Sequence, residues 1–412
     1  MRIYKTFLFL TVTALFVLTV VLPGKGLCSV NPEVRNLVKG NNEFSLDLYS
    51  RLKETKGNLF FSPYSISTVL AMAYAGARGN TRQEMARVLR FPLNAEKLDQ
   101  TYQQLQAHLK NIEGKGNVQL NIANAIWCQK GEKFLTSFLD TLDRYYQSGL
   151  HLVDFRSYPE RVREFINSWV EKQTKNQIKD LIPKGVLNPL SRLVLTNAIY
   201  FKGKWSSEFE KSNTRPNRFF ESKDKWTEVP LMYQQSKFRM IEFEKFKAIE
   251  LPYVGNELSM IIFLPKKYDG LKEFESTINP ETYSSWLLSL QSSPKIKVRV
   301  YLPKFKMTSQ FSLSKQLQAM GMKSAFADAD FSGMNGKRNL FLSSVIHKAF
   351  IDVNEEGTEA AAATGAVVSL TSAMPRPIPV FRADHPFLFM IQDNSTGSIL
   401  FMGRVINPSS RN

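Results

Sequence analysis

The spacing of apolar residues predicts helices in three segments of the chain. Residues 62–73 begin with a capping serine and a first-turn proline, followed by apolar residues every three to four positions. Residues 81–89 begin with the Thr-x-x-Glu spacing of a capping box. Residues 311–320 follow an interrupted helical period, and Gly321 is expected to end that helix.

Strand signals are denser in the second half of the chain. Strict alternation of apolar residues predicts strands at 118–122 and 298–302. Continuous apolar runs at 193–201, 258–264 and 387–390 are typical of strands that are buried on both faces. Because helices come early and strands accumulate later, the pattern predicts an α+β protein with large sheets.

The N-terminal segment has the pattern of a signal peptide. A basic start precedes an apolar run over residues 6–22, and small residues follow without a stop-transfer pattern. We therefore expect a signal peptide over about residues 1–28 and a secreted protein. An uncleaved anchor is the alternative, because the run approaches the ~17 residues that can span a bilayer. Lipidation of Cys28 is a weaker alternative, since Leu27 replaces the usual small residue before it.

Cysteine usage and charge exclude several classes of function. After removal of the signal peptide, Cys128 and at most Cys28 remain, too few for a disulfide framework or a zinc site. The net charge is +17, but basic and acidic residues are interspersed, without the block that marks a nucleic-acid-binding tail. The richest basic cluster on a predicted helix comprises Arg161, Arg163, Lys172, Lys175 and Lys179. It favours a solvated helix face, with polyanion binding as the alternative.

No catalytic motif is evident. The four histidines form no metalloprotease pair, and the chain has no phosphate-binding glycine loop or nucleophile elbow. A hydrolase with an unrecognised Ser-His-Asp site remains an alternative, because such triads are defined by geometry. The sequence therefore predicts a protein that is not an enzyme and needs no cofactor or metal.

Residues 355–380 differ from the rest of the chain. Residues 357–366 carry only small side chains apart from Glu359, whereas Pro375, Pro377 and Pro379 follow and disfavour regular strand pairing. Composition alone favours a surface loop.

The segment EEGTEAAAAT at 355–364 resembles the hinge of the reactive loop of serpins. Other serpin-like motifs occur in the family's order and together extend over about residues 35–408. These motifs are NLFFSPYS at 58–65, LTNAIYFKGKW at 195–205, LPY at 251–253, LPKF at 302–305, HPFLF at 385–389 and FMGRVINP at 401–408. The combined match is specific, although each motif alone is weak.

The resemblance implies an α+β, single-domain serpin-like fold over residues 29–412, with a large central β-sheet, further sheets and surrounding helices. It implies an exposed reactive-centre loop at about 355–380, whose hinge contains Glu355, Gly357, Thr358, Glu359, Ala360, Ala361, Ala362, Ala363 and Thr364. One domain of this length overrules the two or three domains that length alone suggests. A chain of 412 residues can bury a sufficient core without disulfides.

The implied activity is suicide inhibition of serine proteases, in which the cleaved loop enters the central sheet before the acyl-enzyme can hydrolyse. The loop sequence is compatible with this step. One alternating set, Thr358 to Leu370, is small at first and apolar later, as the buried face of an inserted strand requires. No proline interrupts residues 357–371, so each backbone N–H could join a ladder.

The resemblance also assigns site residues. Counting forward from the hinge predicts a reactive bond between Thr371 and Ser372, with Leu370-Thr371 next. Counting back from His385-Pro386 instead shifts the amino-side residue of the bond toward Ser372 or beyond. A polar cluster beneath the sheet opening, the shutter, would comprise Ser62, Ser65, Asn197 and His347. The breach, at the top of the opening, would contain Trp205 and Lys304, and Lys304 would form an ion pair with the hinge residue Glu355.

The expected reactive bond indicates which proteases the protein would inhibit. Thr or Leu at the cleaved position suits elastase-, subtilisin- or chymotrypsin-like proteases, which would form covalent acyl complexes. Arg376 would suit trypsin-like enzymes but lies among prolines. A monomer is expected, with loop-sheet polymerisation as a hazard. A non-inhibitory serpin, acting as carrier or chaperone, is the alternative, and a bacterial source would move the location to the periplasm or cell surface.

Overall fold

The computed structural model describes residues 31–92, 95–356 and 377–410. The expected signal peptide over 1–28 lies outside these residues. So do the hinge positions 357–364 and the expected reactive bond at 370–372.

Helices are concentrated in the first half of the chain. The α-helices of the described residues are α1 (Pro32–Leu52), α2 (Pro63–Ala75), α3 (Gly79–Leu89), α4 (Ala95–Gly114), α5 (Thr136–Thr141), α6 (Pro159–Gln173), α7 (Leu271–Thr277), α8 (Pro280–Ser292), α9 (Ser314–Ala319) and α10 (Ser332–Asn335). Shorter helical turns occur at Leu142–Tyr146, Lys211–Asn213 and Ser324–Phe326.

Strands dominate the second half. They are β1 (Leu59–Phe61), β2 (Val118–Gln129), β3 (Leu150–Val153), β4 (Leu193–Gly203), β5 (Arg215–Ser222), β6 (Lys225–Glu242), β7 (Phe246–Pro252), β8 (Leu258–Pro265), β9 (Lys295–Pro303), β10 (Phe305–Ser312), β11 (Leu342–Val353), β12 (Val380–Arg382), β13 (Phe387–Asp393) and β14 (Ile399–Val405).

Two sheets organise these strands. The five-stranded central sheet has the order β10-β11-β4-β2-β3, and its middle pair, β11 and β4, is parallel. The nine-stranded sheet follows the order β1-β14-β13-β8-β7-β6-β9-β12, with β5 paired to β6. Helices that precede strands in sequence and pack on antiparallel and mixed sheets confirm the predicted α+β class.

The continuous apolar runs form fully buried strands, as predicted. In β4 every residue except Lys202 is buried, and β8, β13 and β14 are buried throughout. Alternating patterns also match strands, since residues 118–122 open β2 and residues 298–302 lie in β9.

Both faces of the central sheet are covered. The main core packs one face against α2, whose residues contact β2 and β4. A second apolar cluster covers the opposite face, where Trp127 and Val194 pack with Ile166 and Val170 of α6. A strand added to this sheet would therefore need small or apolar side chains on its buried positions.

The helix starts predicted from the sequence are only partly correct. Ser62 caps α2 by accepting a hydrogen bond from the Ser65 N–H at 3.2 Å, with Pro63 in the first turn, as predicted. The capping box predicted at residues 81–84 is wrong, because α3 begins at Gly79. The side chains of Thr81 and Glu84 instead form tertiary contacts.

Those tertiary contacts account for the error. The Thr81 hydroxyl accepts from the Asp330 N–H at 2.9 Å, and the Glu84 carboxylate accepts from the backbone N–H groups of Lys323 and Ser324. Local sequence cannot reveal acceptors that are used by residues more than 200 positions away.

The predicted helix over 311–320 is shorter than the pattern suggested. Phe311 belongs to β10, where it lies opposite His347, and α9 extends only over Ser314–Ala319. Gly321 has φ of +113°, which is readily accessible only to glycine, and it lies beyond the helix end as predicted.

Candidate functional site

A row of polar side chains crosses the three middle strands of the central sheet. Asn197 of β4 lies opposite His347 of β11 on one side and opposite Asn124 of β2 on the other. The Asn197 amide group donates to Asn124 Oδ1, and its Oδ1 contacts His347 Nδ1. These bonds tie β2, β4 and β11 together at one level of the sheet.

The start of α2 rests on this polar row. Ser65 Oγ accepts from the Asn197 amide and donates to Asn124 Oδ1 at 3.2 Å. Ser62 donates its Oγ–H to the Leu400 carbonyl at 2.7 Å. The four residues that the sequence assigned to one polar cluster, Ser62, Ser65, Asn197 and His347, are therefore in mutual contact, directly or through one neighbour.

His347 is neutral in this setting. Its ring is fully buried, and burial lowers its pKa to about 3. Nε2 accepts from the Ser62 N–H at 3.2 Å, so Nε2 carries no proton. The proton therefore resides on Nδ1, which donates to Asn197 Oδ1. This assignment pairs every polar atom of the ring.

Trp205 lies at one end of β4. Its indole is buried and stacks on Tyr253, with ring centroids 4.6 Å apart and planes 12° apart. The indole N–H donates to the Asn354 carbonyl at 2.9 Å, directly after β11. Trp205 thereby links the ends of the two parallel strands β4 and β11.

Glu355 is anchored where the chain leaves β11. Its side chain is 6% exposed and pairs with Lys304, Oε2 to Nζ 2.7 Å, while Thr214 donates to Oε1 at 2.8 Å. Burial by itself raises the pKa of Glu355, but these hydrogen bonds and the lysine charge outweigh it and lower the pKa. The backbone carbonyl of Glu355 also accepts from the Phe209 N–H at 3.2 Å. The last described residues before the loop are thus held by several bonds.

The contact between His108, Asp393 and Ser395 lacks the geometry of a hydrolase triad. Asp393 Oδ2 and Ser395 Oγ both contact Nε2 of His108, at 2.9 and 3.1 Å. One ring nitrogen cannot take a proton from serine while donating to the aspartate, which a triad divides between two nitrogens. This cluster therefore provides no activated serine.

Cys128 is unsuited to nucleophilic or metal chemistry. Burial, with a smaller contribution from Glu132, raises the pKa of its thiol to about 12, so the reactive thiolate does not form near neutral pH. The described residues contain no group of three or more His, Cys, Asp or Glu side chains that could hold a metal ion.

The predicted basic cluster on α6 is only partly a helix face. Arg163 is buried and donates to Glu160 and to the Ile182 carbonyl. α6 ends at Gln173, so Lys175 and Lys179 lie beyond it, and Lys179 pairs with Glu171 at 3.2 Å. The expectation that all five basic residues lie on one helix is therefore wrong, since only Arg161, Arg163 and Lys172 belong to α6.

Sequence reasoning missed three residues of the site. Asn124 is a polar residue within the strand signal of β2, and its place in an otherwise apolar stretch could have indicated it. Tyr253 is the last residue of the LPY motif at 251–253, which supports the family resemblance but does not indicate a contact with Trp205. Thr214 has no sequence signal, because only the fold brings it to Glu355.

Among the described residues, none of the helices has the length and apolar character that crossing a membrane requires.

Comparison with known proteins identifies the family. A family model described as Serpin (serine protease inhibitor) matches residues 39–408. An uncharacterised serpin-like protein of Thermococcus kodakarensis is 42% identical over 373 residues, which cover 90% of this chain and 86% of that protein. The leukocyte elastase inhibitor of Xenopus tropicalis is 41% identical over 385 residues, which cover 91% of this chain and all of that protein.

A solved structure agrees with these relatives. Human thyroxine-binding globulin, solved as a complex with thyroxine, superposes with a TM-score of 0.81 at 30% identity, covering 92% of this chain and 100% of that one. The sequence motifs, the central sheet and the match over residues 39–408 lead to one conclusion: this chain belongs to the serpin family.

Proposed function

We propose that this protein inhibits serine proteases as a suicide substrate, trapping the acyl-enzyme by inserting its cleaved loop into the central sheet. The observation that carries the proposal is the parallel pairing of β4 and β11 at the middle of that sheet. The loop segment leaves β11 directly through Asn354 and Glu355, next to the end of β4.

Insertion between these strands would improve strand pairing. A segment that turns back after β11 would run antiparallel to both β11 and β4. One parallel pair would be replaced by two antiparallel pairs, and parallel pairing is slightly less stable per residue. Addition of the serpin reactive loop to a sheet is an established example of β-strand addition.

The free energy available is comparable to the stability of a domain. About 14 residues, each gaining roughly 1 kcal/mol of net hydrogen bonding, would release on the order of 10 kcal/mol. At about 3.3 Å per residue, the inserted strand would carry an attached protease by tens of ångströms. The uncleaved state would then be stable for kinetic reasons.

The polar row and the strand-end contacts support the roles assigned to them. As the shutter, Ser62, Ser65, Asn197 and His347 would hold β4 and β11 together until cleavage, because the Asn197–His347 bond must break for a strand to enter. As the breach, Trp205 and the Lys304–Glu355 pair would hold the point where insertion begins. Asn124 extends the shutter to β2.

The target class rests on the loop sequence. With cleavage at Thr371-Ser372, or next at Leu370-Thr371, the inhibitor suits elastase-, subtilisin- or chymotrypsin-like enzymes. The relatedness to a leukocyte elastase inhibitor supports the first of these classes. Export through the segment 1–28 would bring the inhibitor to extracellular proteases.

A second candidate function is transport of a small ligand. The likeness to thyroxine-binding globulin at 30% identity favours it. The small hinge residues argue for inhibition instead, because a carrier does not need a loop that can be buried in the sheet.

The decisive experiment mixes the purified protein with elastase, subtilisin, chymotrypsin and trypsin. Products are separated on denaturing gels, and the released C-terminal peptide is identified by mass spectrometry. A complex that survives denaturation, with a peptide beginning at Ser372 or a near neighbour, supports trapping and locates the bond. Cleavage within the loop without a complex favours the non-inhibitory alternative, and turnover of small esters by the protein alone would favour a hydrolase.

A further inference from the structure

A basic band covers the outward face of two neighbouring strands. It consists of Lys237 and Arg239 of β6 and Lys295, Lys297 and Arg299 of β9. Phe238 and Val298, which lie between band residues on their strands, are buried, so the five band residues lie together on the other face of the sheet. In the strand register Lys237 lies opposite Lys297, and Arg239 lies opposite Lys295.

Most of the band lacks counter-charges. Glu250 pairs with Arg239 at 2.9 Å. Lys237, Lys295 and Lys297 are exposed and form no ion pair with any residue that the structure describes. The Nε of Arg299 is buried and has no hydrogen-bond partner within the described ranges.

Among the residues described, the fold gains an ion pair from Arg239 and Glu250 but nothing comparable from Lys237, Lys295 and Lys297. Like charges directly opposite each other on paired strands are destabilising, and this register places Lys237 opposite Lys297 without a described counter-charge, beside Lys295 opposite Arg239. Neutral polar residues would satisfy the same exposed positions at no electrostatic cost. A binding partner with negative charge would remove the repulsion.

The band adjoins the chain that carries the reactive loop. Val380 of β12 pairs with Arg299 of β9. Ser372, the expected product-side residue, is eight positions before Val380, so the two are at most about 28 Å apart. A protease of about 230 residues has a radius of gyration near 17 Å and spans roughly 45 Å. A protease docked on the expected bond is therefore large enough to span the distance to Arg299, the band residue nearest to β12.

We propose that the basic band is an accessory docking surface that selects proteases with an acidic surface beside the active site. The inference rests on the proposed inhibitory function. Complementary charge at the edge of an interface acts chiefly on the association rate, by steering encounter, and this effect weakens as salt rises. The sequence of the reactive loop would determine which class of protease cleaves it. The basic band would determine which enzymes of that class associate fastest.

The test changes the charge of the protease while leaving its active site intact. The probe is chymotrypsin, or subtilisin where only subtilisin forms the stable complex, used unmodified and after succinylation, which turns lysine ammonium groups into carboxylates. The inhibitors are the wild type, Lys237→Glu/Lys297→Glu, and the control Lys172→Glu/Lys175→Glu. Both variants lower the net charge from +17 to +13. The band variant keeps two like charges directly opposite each other at positions 237 and 297.

Succinylation is expected to raise the association rate constant of the wild type and of the control variant about tenfold at low salt. The band variant should lose this gain, with its stoichiometry of inhibition unchanged. Equal rates for all three inhibitors, or an equal loss in the control variant, would overturn the docking surface while leaving inhibition intact. Failure of every protease to form a complex would instead overturn the proposed function and this inference with it.

Discussion

His347 and Asn197 lie directly opposite each other on the parallel strands β11 and β4, and their side chains share a hydrogen bond between Nδ1 and Oδ1. The bond spans the pair of strands that loop insertion would separate. Burial keeps His347 neutral within the core, which makes the stability of the sheet depend on pH.

The stability of the native state should fall as the solution becomes acidic, and His347 should contribute to that fall. In the unfolded chain the imidazole takes up a proton below its ordinary pKa near 6.5, whereas in the folded protein it does so only near 3. The stabilisation is therefore complete above about pH 6.5 and is lost as pH falls from there. Protonation of one such group can lower the free energy of unfolding by up to about 1.4 kcal/mol per pH unit. Urea unfolding of wild type and His347→Gln between about pH 5 and 8 checks this, and an identical pH dependence in both proteins would contradict it.

His108 should show the opposite dependence on pH. Its hydrogen bond to the buried Asp393 carboxylate raises the pKa of its ring despite partial burial. The stabilisation is therefore full below the unfolded value near 6.5 and is lost as pH rises through the raised folded value. NMR titration of the ring protons should give a midpoint above about 6.5, and Asp393→Asn should return the midpoint toward it. A midpoint at or below the ordinary value would disprove the contact.

Loss of Lys304 should cost more than the ion pair itself contributes. Lys304 is 38% exposed, and a pair of this kind adds only about 0–1 kcal/mol. Lys304→Met, however, leaves the buried Glu355 carboxylate without a counter-charge, at about 1–3 kcal/mol. Thermal unfolding should therefore rank Lys304→Met below the double variant Lys304→Met/Glu355→Gln. Size exclusion after mild heating should also show more oligomer for the single variant. Equal stability of the two variants would mean that Glu355 is not held by Lys304.

Arg404 should be among the residues on which the fold depends most. Its guanidinium is buried, pairs with Glu275 at 3.0 Å and donates to the Lys53 carbonyl at 2.7 Å, while Tyr49 donates to Glu275. Arg404→Met leaves a buried, uncompensated carboxylate and should cost about 3–5 kcal/mol in chemical unfolding. Arg404→Lys keeps the charge but not the set of donors, so an intermediate loss is expected. A cost of less than about 1 kcal/mol for the methionine variant would show that the pair is dispensable.

The proposed inhibitory function predicts that the Thr358→Arg variant is cleaved as a substrate and no longer traps the protease. An inserted loop would bury this position, and an arginine cannot be buried there without losing its hydration. Proteases should still cleave the loop, but the gel-stable complex should give way to free cleaved inhibitor. Glu359→Arg is the matched control, because in an inserted strand Glu359 would belong to the alternate set of residues, on the face opposite that of Thr358. Undiminished complex formation by Thr358→Arg would refute the role of the hinge.

The sequence by itself determined the family and the fold class. Continuous motifs such as the run at 195–205 combine strand periodicity with specific residues, and strands buried on both faces produce apolar runs that need no tertiary information. The N-cap of α2 was equally predictable, because Ser62 and Ser65 lie within one turn. The unusual composition of residues 355–380 is also visible in the sequence alone, because it depends on no tertiary contact.

Only the tertiary structure decided which polar groups meet. His347 and Asn197 are 150 positions apart, and Asn197 and Asn124 are 73 apart, so strand order and register bring them together. The same register aligns Lys237 with Lys297, which periodicity along either strand alone does not reveal. Thr81 and Glu84 show the converse, because their local capping pattern yielded to distant backbone donors. Local patterns determine secondary structure because they act within a few residues, whereas the charges and hydrogen bonds of the site depend on pairing between segments far apart in the chain.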